Sequence, residues 1–198
     1  MGGDEEDISQ GHESWEHFLT KEKSVLFVTV GTHEQQFNRL LQYVDQLVEE
    51  GVIQEEVVAQ TGFSNYEPVH ASHRSWYSPE EMEHFTDEAR IIICHGGPSS
   101  YMPALQREKI PIVFPRRKAY GEHVNDHQYD FSVKLAKQKK MILLAETKEE
   151  LRECILHYDV AREGIQGKIP WNNDSFNRGL SLMVEEMFAA KQTGGTHD

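Results

Sequence analysis

The amino-acid sequence predicts an α/β fold built on a doubly wound parallel sheet of about six strands. Three observations point to it. Short, continuous apolar runs recur along the chain, and a run without polar alternation fits a strand buried on both faces. Segments with apolar residues at helical spacing separate these runs, and strands that alternate with helices form parallel sheets. Stretches rich in glycine and histidine directly follow several of the runs, where the carboxyl ends of such strands carry ligands.

Residues 1–22 are polar and acid-rich. They are expected to form a flexible acidic tail, with a short helix around residues 15–19. Ser24-Val-Leu-Phe-Val-Thr-Val30 is the first strand, bounded by Gly31. Phe37, Leu40, Leu41, Val44, Leu47 and Val48 follow at helical spacing, and Gly51 stops that helix. Val57-Val-Ala-Gln60 is a second strand, ended by Thr61-Gly62, with a loop over 63–69. Residues 70–77 are assigned a third strand. Ser78 is an N-cap with Pro79 at the first helical position. Ile91-Ile-Ile-Cys94 is the fourth strand, and His95-Gly-Gly-Pro-Ser-Ser100 leads into another helix. Pro111-Ile-Val-Phe114 is the fifth strand. A helix over 125–137, a sixth strand over 141–145 and a helix over 148–158 complete the alternation. A link over 164–170 precedes a C-terminal amphipathic helix with Phe176, Leu180, Met183, Val184, Met187 and Phe188 on one face. Residues 193–198 are a frayed end. The organisation is therefore a tail (1–22), an α/β domain (23–160), and a link, helix and tail (161–198).

The chain has 198 residues, enough for one ordinary domain and too few for two full α/β halves. Acidic residues outnumber basic ones 33 to 20, for a formal charge of −13. That balance argues against nucleic-acid binding, which needs a basic face. No apolar run approaches the roughly 20 residues that span a bilayer, and the N-terminus shows no signal-peptide pattern. Two cysteines, Cys94 and Cys154, are no disulfide framework and fit a reducing compartment.

Three constellations carry chemistry. In His95-Gly96-Gly97-Pro98-Ser99-Ser100, glycines permit close backbone approach, and helix-start N–H groups with two hydroxyls favour a phosphate. The alternative is a tight strand-to-helix turn with a capping serine. The loop from Pro115 through Arg116, Arg117, Lys118, Glu122, His123, Asn125, Asp126 and His127 to Gln128 offers cations for a diphosphate and polar groups for sugar hydroxyls. Its alternatives are a solvated basic loop with Asn125 and Asp126 as helix caps, or a metal cluster of His123, Asp126 and His127, whose spacing lacks a template. In Gly31-Thr32-His33-Glu34-Gln-Gln36, His33 or Glu34 is a candidate general base at the mouth of the first strand. The alternative there is a helix start capped by Thr32. Cys94 is read as a buried small residue.

Val28 through Phe37, Gln60-Thr-Gly62, His95-Gly-Gly-Pro98 and the loop from Pro115 to Gln128 together resemble glycosyltransferase family 28 C-terminal domains. The resemblance is to the bacterial exopolysaccharide and capsule subunits of the PssE/EpsF type, relatives of the catalytic subunit of the dolichol-linked UDP-GlcNAc transferase. It covers about residues 24–158. It implies a Rossmann-like donor-binding half of a GT-B fold that uses a UDP-sugar. By position, Tyr77, Ser78, Pro79 and Met82 would hold the uracil, and Gly96, Gly97, Ser99 and Ser100 the diphosphate. Glu122, His123, Asn125, His127 and Gln128 would line sugar and phosphates, with Gly31, Thr32 and His33 facing the cleft; His95, Pro98 and Arg116 complete the expected site. One departure stands out: where many members carry an acidic ribose ligand, this chain has Pro103 or a neighbour.

The resemblance further implies half an enzyme. A membrane-associated subunit would supply the N-terminal GT-B half and help bind a lipid-linked saccharide acceptor. The chain itself would be cytoplasmic, recruited to the membrane through that subunit. Inverting transfer of a galactosyl or glucuronosyl group is expected, without metal or cofactor and without D-x-D. Homo-oligomerisation is left open. One rival is a non-catalytic nucleotide-sugar-binding subunit. The other is a nicotinamide oxidoreductase, disfavoured because no G-x-G-x-x-G follows Val30 and Gln60 stands where an acidic residue would end the second strand.

Overall fold

The computed structural model describes residues 24–139 and 141–166, together with Arg178 and Leu182. The expected acidic tail and C-terminal amphipathic helix lie outside the described residues, Arg178 and Leu182 apart. Six parallel strands form one sheet in the order β3-β2-β1-β4-β5-β6. They are β1 (Val25–Thr29), β2 (Glu56–Gln60), β3 (Ser72–Arg74), β4 (Ala89–Cys94), β5 (Ile112–Val113) and β6 (Leu143–Leu144). The helices are α1 (Asn38–Glu49), α2 (Pro79–Glu88), α3 (Pro98–Gln106), α4 (His127–Lys134), α5 (Lys148–Leu156) and α6 (Tyr158–Gln166). Chain order reverses direction between β1 and β4, which makes their carboxyl ends the switch point of the sheet.

The absence of alternation in the strands reflects two-sided burial. Leu26 and Val28 of β1, with Ile91 and Ile93 of β4, pack toward Leu40, Leu41 and Val44 of α1 and Leu151 and Ile155 of α5. Phe27, Val58 and Ile92 face the other way, onto Phe85 of α2 and Ala104 of α3. Each of these leucine, isoleucine, valine and phenylalanine side chains contributes about 1.5–3 kcal/mol by leaving water.

Helix ends follow local chemistry. Gly51 takes φ +73° after α1. Its N–H donates to the Val48 carbonyl, and the Val52 N–H reaches back to the Leu47 carbonyl, each at 2.9 Å. This is the paired closure that glycine past a helix end permits. Ser78 and Glu81 form a reciprocal capping box at α2, with Pro79 inside it.

Five elements differ from expectation. β3 spans three exposed residues at the sheet edge rather than most of 70–77. β5 and β6 are two residues each, although Phe114 N–H to Cys94 O (2.8 Å) and Ala145 N–H to Val113 O (3.0 Å) extend their ladders. α4 begins at His127 because the Asn125 Oδ1 accepts the His127 N–H, a turn rather than a helix start; the chain continues from it as a π-helical turn, Leu135–Lys139. Gly164, expected in a link, lies inside α6.

Candidate functional site

A cavity of about 700 Å³ opens at the switch point between β1 and β4. Its floor is apolar, from Phe27 and Ile92, and beside it the Thr29 hydroxyl donates to Gln60 Oε1 at 2.6 Å. One wall is the turn after β4 with the start of α3. A second is the start of α2. The third is the loop after β1 together with the segment before α4.

The turn after β4 is held by His95, which is 7% exposed. Gly31 and Gly97 are both close against its ring. A Cβ on Gly31 would collide with Nε2, and one on Gly97 would sit 2.6 Å from Cε1. Gly31 also takes φ +77°, so glycine is demanded there twice over. The His95 Nδ1 accepts the Gly97 N–H at 3.2 Å and lies 3.4 Å from Gln128 Oε1. Burial, with the nearby Arg116 guanidinium, pushes the imidazole down to about 4, so it is neutral at physiological pH. The Ser100 hydroxyl donates to the His95 and Gly97 carbonyls (2.5 and 2.6 Å), and its N–H donates to the Gly97 carbonyl. The N–H groups of Gly97 and Ser100 are thus committed internally. Ser99 is exposed in the first turn of α3 and lines the cavity.

Of the expected site residues, Gly31, Thr32, His33, Tyr77, Met82, His95, Gly97, Pro98, Ser99, Ser100, His123, Asn125, His127 and Gln128 all line this cavity. Tyr77 packs edge-on against Phe85, with Arg74 over its ring at 4.4 Å. The His33 and His123 rings lie 4.4 Å apart between centroids.

Five expected residues stand elsewhere. Glu34 is exposed and outside the lining. Ser78 caps α2. Gly96 is buried where a Cβ would meet Ser132 Oγ at 2.7 Å, packing the turn onto α4. Arg116 and Glu122 are buried structural groups. The Arg116 guanidinium donates to the Gln35 (2.7 Å), Gln36 (3.3 Å), Glu122 (2.9 Å) and Val30 (2.8 Å) carbonyls and lies over the Phe37 ring. It ties the loop after β1 to the loop after β5. The Glu122 carboxylate accepts two hydrogen bonds from Arg39, each 2.8 Å, and one from the Arg117 N–H. Both side chains are spent on backbone and ion-pair contacts, which removes them from the ligand-facing set. The expected alternative of Thr32 as a helix cap is also not realised, because α1 begins at Asn38 behind Phe37. Cys94 is fully buried, and burial pushes its thiol up to about 12. Among the described residues, no three His, Cys, Asp or Glu side chains are grouped to hold a metal ion. None of the helices described is long and apolar enough to cross a membrane.

Glu83 and Thr86 also line the cavity and were not anticipated. Pro79, Met82, Glu83 and Thr86 are one face of α2 by their spacing, so the two expected positions on that helix already implied the other two. Pro103 lines the cavity as well, at the position where the departure from the family pattern was noted.

A model of the glycosyltransferase family 28 C-terminal domain matches residues 25–167. No curated protein matches the sequence. Among solved structures, Os79 from O. sativa in complex with UDP is similar with a TM-score of 0.56 at 14% identity, over 87% of this chain and 42% of that one. A UDP-glucose: anthocyanidin 3-O-glucosyltransferase in complex with UDP gives 0.52 at 14%, over 88% and 43%. ALG13, solved by NMR, gives 0.52 at 14% identity, over 86% of this chain and 99% of that one. Of Os79, the anthocyanidin glucosyltransferase and four further glycosyltransferase structures, the chain spans 39–46% of the length. At these identities the likeness is one of fold, and the fold is the C-terminal half of the GT-B glycosyltransferases. The family match covers most of the chain: it belongs to the glycosyltransferase family 28 C-terminal domain family.

Proposed function

We propose that this chain is the donor-binding subunit of a two-component inverting glycosyltransferase that takes its sugar from a UDP-sugar. The observation that supports the reading most is the cavity at the β1/β4 switch point, which joins an aromatic and apolar end at Tyr77 and Met82 to a glycine turn and helix start at Gly97 and Ser99. The first end suits a nucleobase, the second a diphosphate. Two structures of the same fold were solved with UDP. A membrane-associated partner would supply the N-terminal half and a lipid-linked saccharide acceptor, and the PssE/EpsF-like setting is exopolysaccharide or capsule synthesis at the cytoplasmic face. The covered share of ALG13 supports a domain of this kind existing as its own chain. Galactose and glucuronic acid are the sugars proposed. A base removes the acceptor hydroxyl proton while α3 and the turn before it stabilise the departing UDP, with no metal in the scheme. Of the two candidate bases on this chain, His33 faces the cavity and exposed Glu34 lies outside it.

Calorimetric titration with UDP and with NAD⁺, with and without EDTA, tests the reading. UDP is expected to bind with EDTA present, and NAD⁺ is expected not to bind. Binding of NAD⁺ in place of UDP would point to a dinucleotide enzyme instead. If UDP fails on the isolated chain, the same titration on the co-expressed pair decides between an incomplete site and a wrong assignment.

A further inference from the structure

The ends of four strands lie side by side. Cys94 of β4, Thr29 of β1, Gln60 of β2 and Arg74 of β3 are paired in one row. Side chains alternate along a strand. Phe27 and Val58 face α2, so Thr29 and Gln60, two residues further on, point the same way. Both line the cavity.

Gln60 is 5% exposed. The Thr29 hydroxyl donates to its Oε1 at 2.6 Å and accepts the Gly31 N–H at 3.3 Å. The oxygen of the amide is thereby turned toward β1. The amide nitrogen carries two hydrogens and has no partner among the described residues. The hydroxyls nearby are spent: that of Thr86 donates to the Met82 carbonyl at 2.6 Å, and that of Ser100 to the turn before α3. Gln60 is thus a nearly buried donor that the fold holds at the cavity wall without using it, and a buried donor without an acceptor is costly.

The place of Gln60 in the row decides what it meets. Neighbouring strands are about 4.8 Å apart. Two such spacings put Gln60 about 10 Å from Cys94, where the glycine turn begins, and one puts it about 5 Å from Arg74, three residues before Tyr77. Gln60 therefore belongs to the base end of the cavity and stands away from the phosphate end. The acceptors that a uracil ring offers an amide N–H are its two carbonyls.

Resting on the donor reading above, we propose that Gln60 reads the nucleobase: its Nε2–H donates to a carbonyl of the uracil ring, and Thr29 fixes the amide so that the nitrogen faces the ligand. Gln60 then favours a base with a carbonyl on that edge over one with an amino group there. It makes no contact with the diphosphate.

The test uses the full chain with UDP, uridine, 2-thio-UDP and 4-thio-UDP, because sulfur accepts hydrogen bonds weakly. The NMR signal of the Gln60 side-chain amide, assigned by its loss in Gln60→Leu, is expected to shift with uridine as it does with UDP. One of the two thio analogues is expected to bind the parent chain about fivefold more weakly than UDP, and Gln60→Leu to lose about tenfold for UDP, the range of one hydrogen bond. In Gln60→Leu that analogue and UDP are expected to bind alike. Gln60→Leu strands the Thr29 hydroxyl, so Thr29→Val combined with Gln60→Leu removes both partners together, which proteins tolerate better, and the same binding pattern is expected from it. If Gln60→Leu weakens UDP and both thio analogues equally, or the amide shifts with UDP and not with uridine, the proposal is overturned and the donor reading stands. Failure of UDP to bind both the chain and the co-expressed pair would overturn both.

Discussion

Arg116→Met is expected to destabilise the chain by about 4 kcal/mol, a large part of the 5–15 kcal/mol typical of a domain. Methionine matches the volume of the stem but donates nothing. The carbonyls of Val30, Gln35, Gln36 and Glu122 would then lose their shared donor inside the protein. For a chain of this size that corresponds to a fall of roughly 10 °C or more in melting midpoint. Arg116→Lys is expected to fall between, because one ammonium cannot span the fork. Thermal and urea unfolding followed by circular dichroism would read both. An unchanged midpoint in the Met variant would mean that the guanidinium does not hold the two loops together.

Ser99→Asp is expected to separate binding from stability. Ser99 is exposed in the first turn of α3, where an acidic side chain favours the helix. The melting midpoint should hold or rise slightly. A carboxylate there would face the incoming diphosphate at short range, and like charges about 4 Å apart repel by about 4 kcal/mol in a partly solvated site. UDP affinity should fall about 100-fold or more, while Ser99→Ala should cost only a few-fold. Equal UDP affinity for Ser99→Asp and the parent chain would place the phosphates away from α3.

The contrast between Ser99 and Arg116 shows what the sequence made legible. The turn His95–Ser100 sits between an apolar run and a helical segment, so neighbours in the chain place it at the cavity, while the burial of Gly96 against Ser132 comes from a distant helix. Ser78, Pro79 and Glu81 are placed by neighbours alone, since their cap is complete within four residues. Arg116 and Glu122 are different. As types in a polar loop they look like ligand-binding groups. Their roles are set by partners far away in the chain: the Val30 carbonyl is 86 residues from Arg116, and Arg39 is 83 from Glu122. No local pattern encodes those contacts. The short β5 and β6 were legible as apolar runs, but their ends depend on which neighbouring carbonyls their N–H groups reach. Glu83 and Thr86 were within reach, since helical spacing from Pro79 and Met82 predicts them.

On the function proposed above, one cavity, at the β1/β4 switch point, takes the nucleotide diphosphate. Mapping backbone amide shifts by NMR during a UDP titration tests it most directly. The largest shifts are expected on Thr32, Tyr77, Met82, Gly97, Ser99 and Ser100, saturating together. Shifts concentrated elsewhere, such as along the exposed edge strand β3, would contradict it.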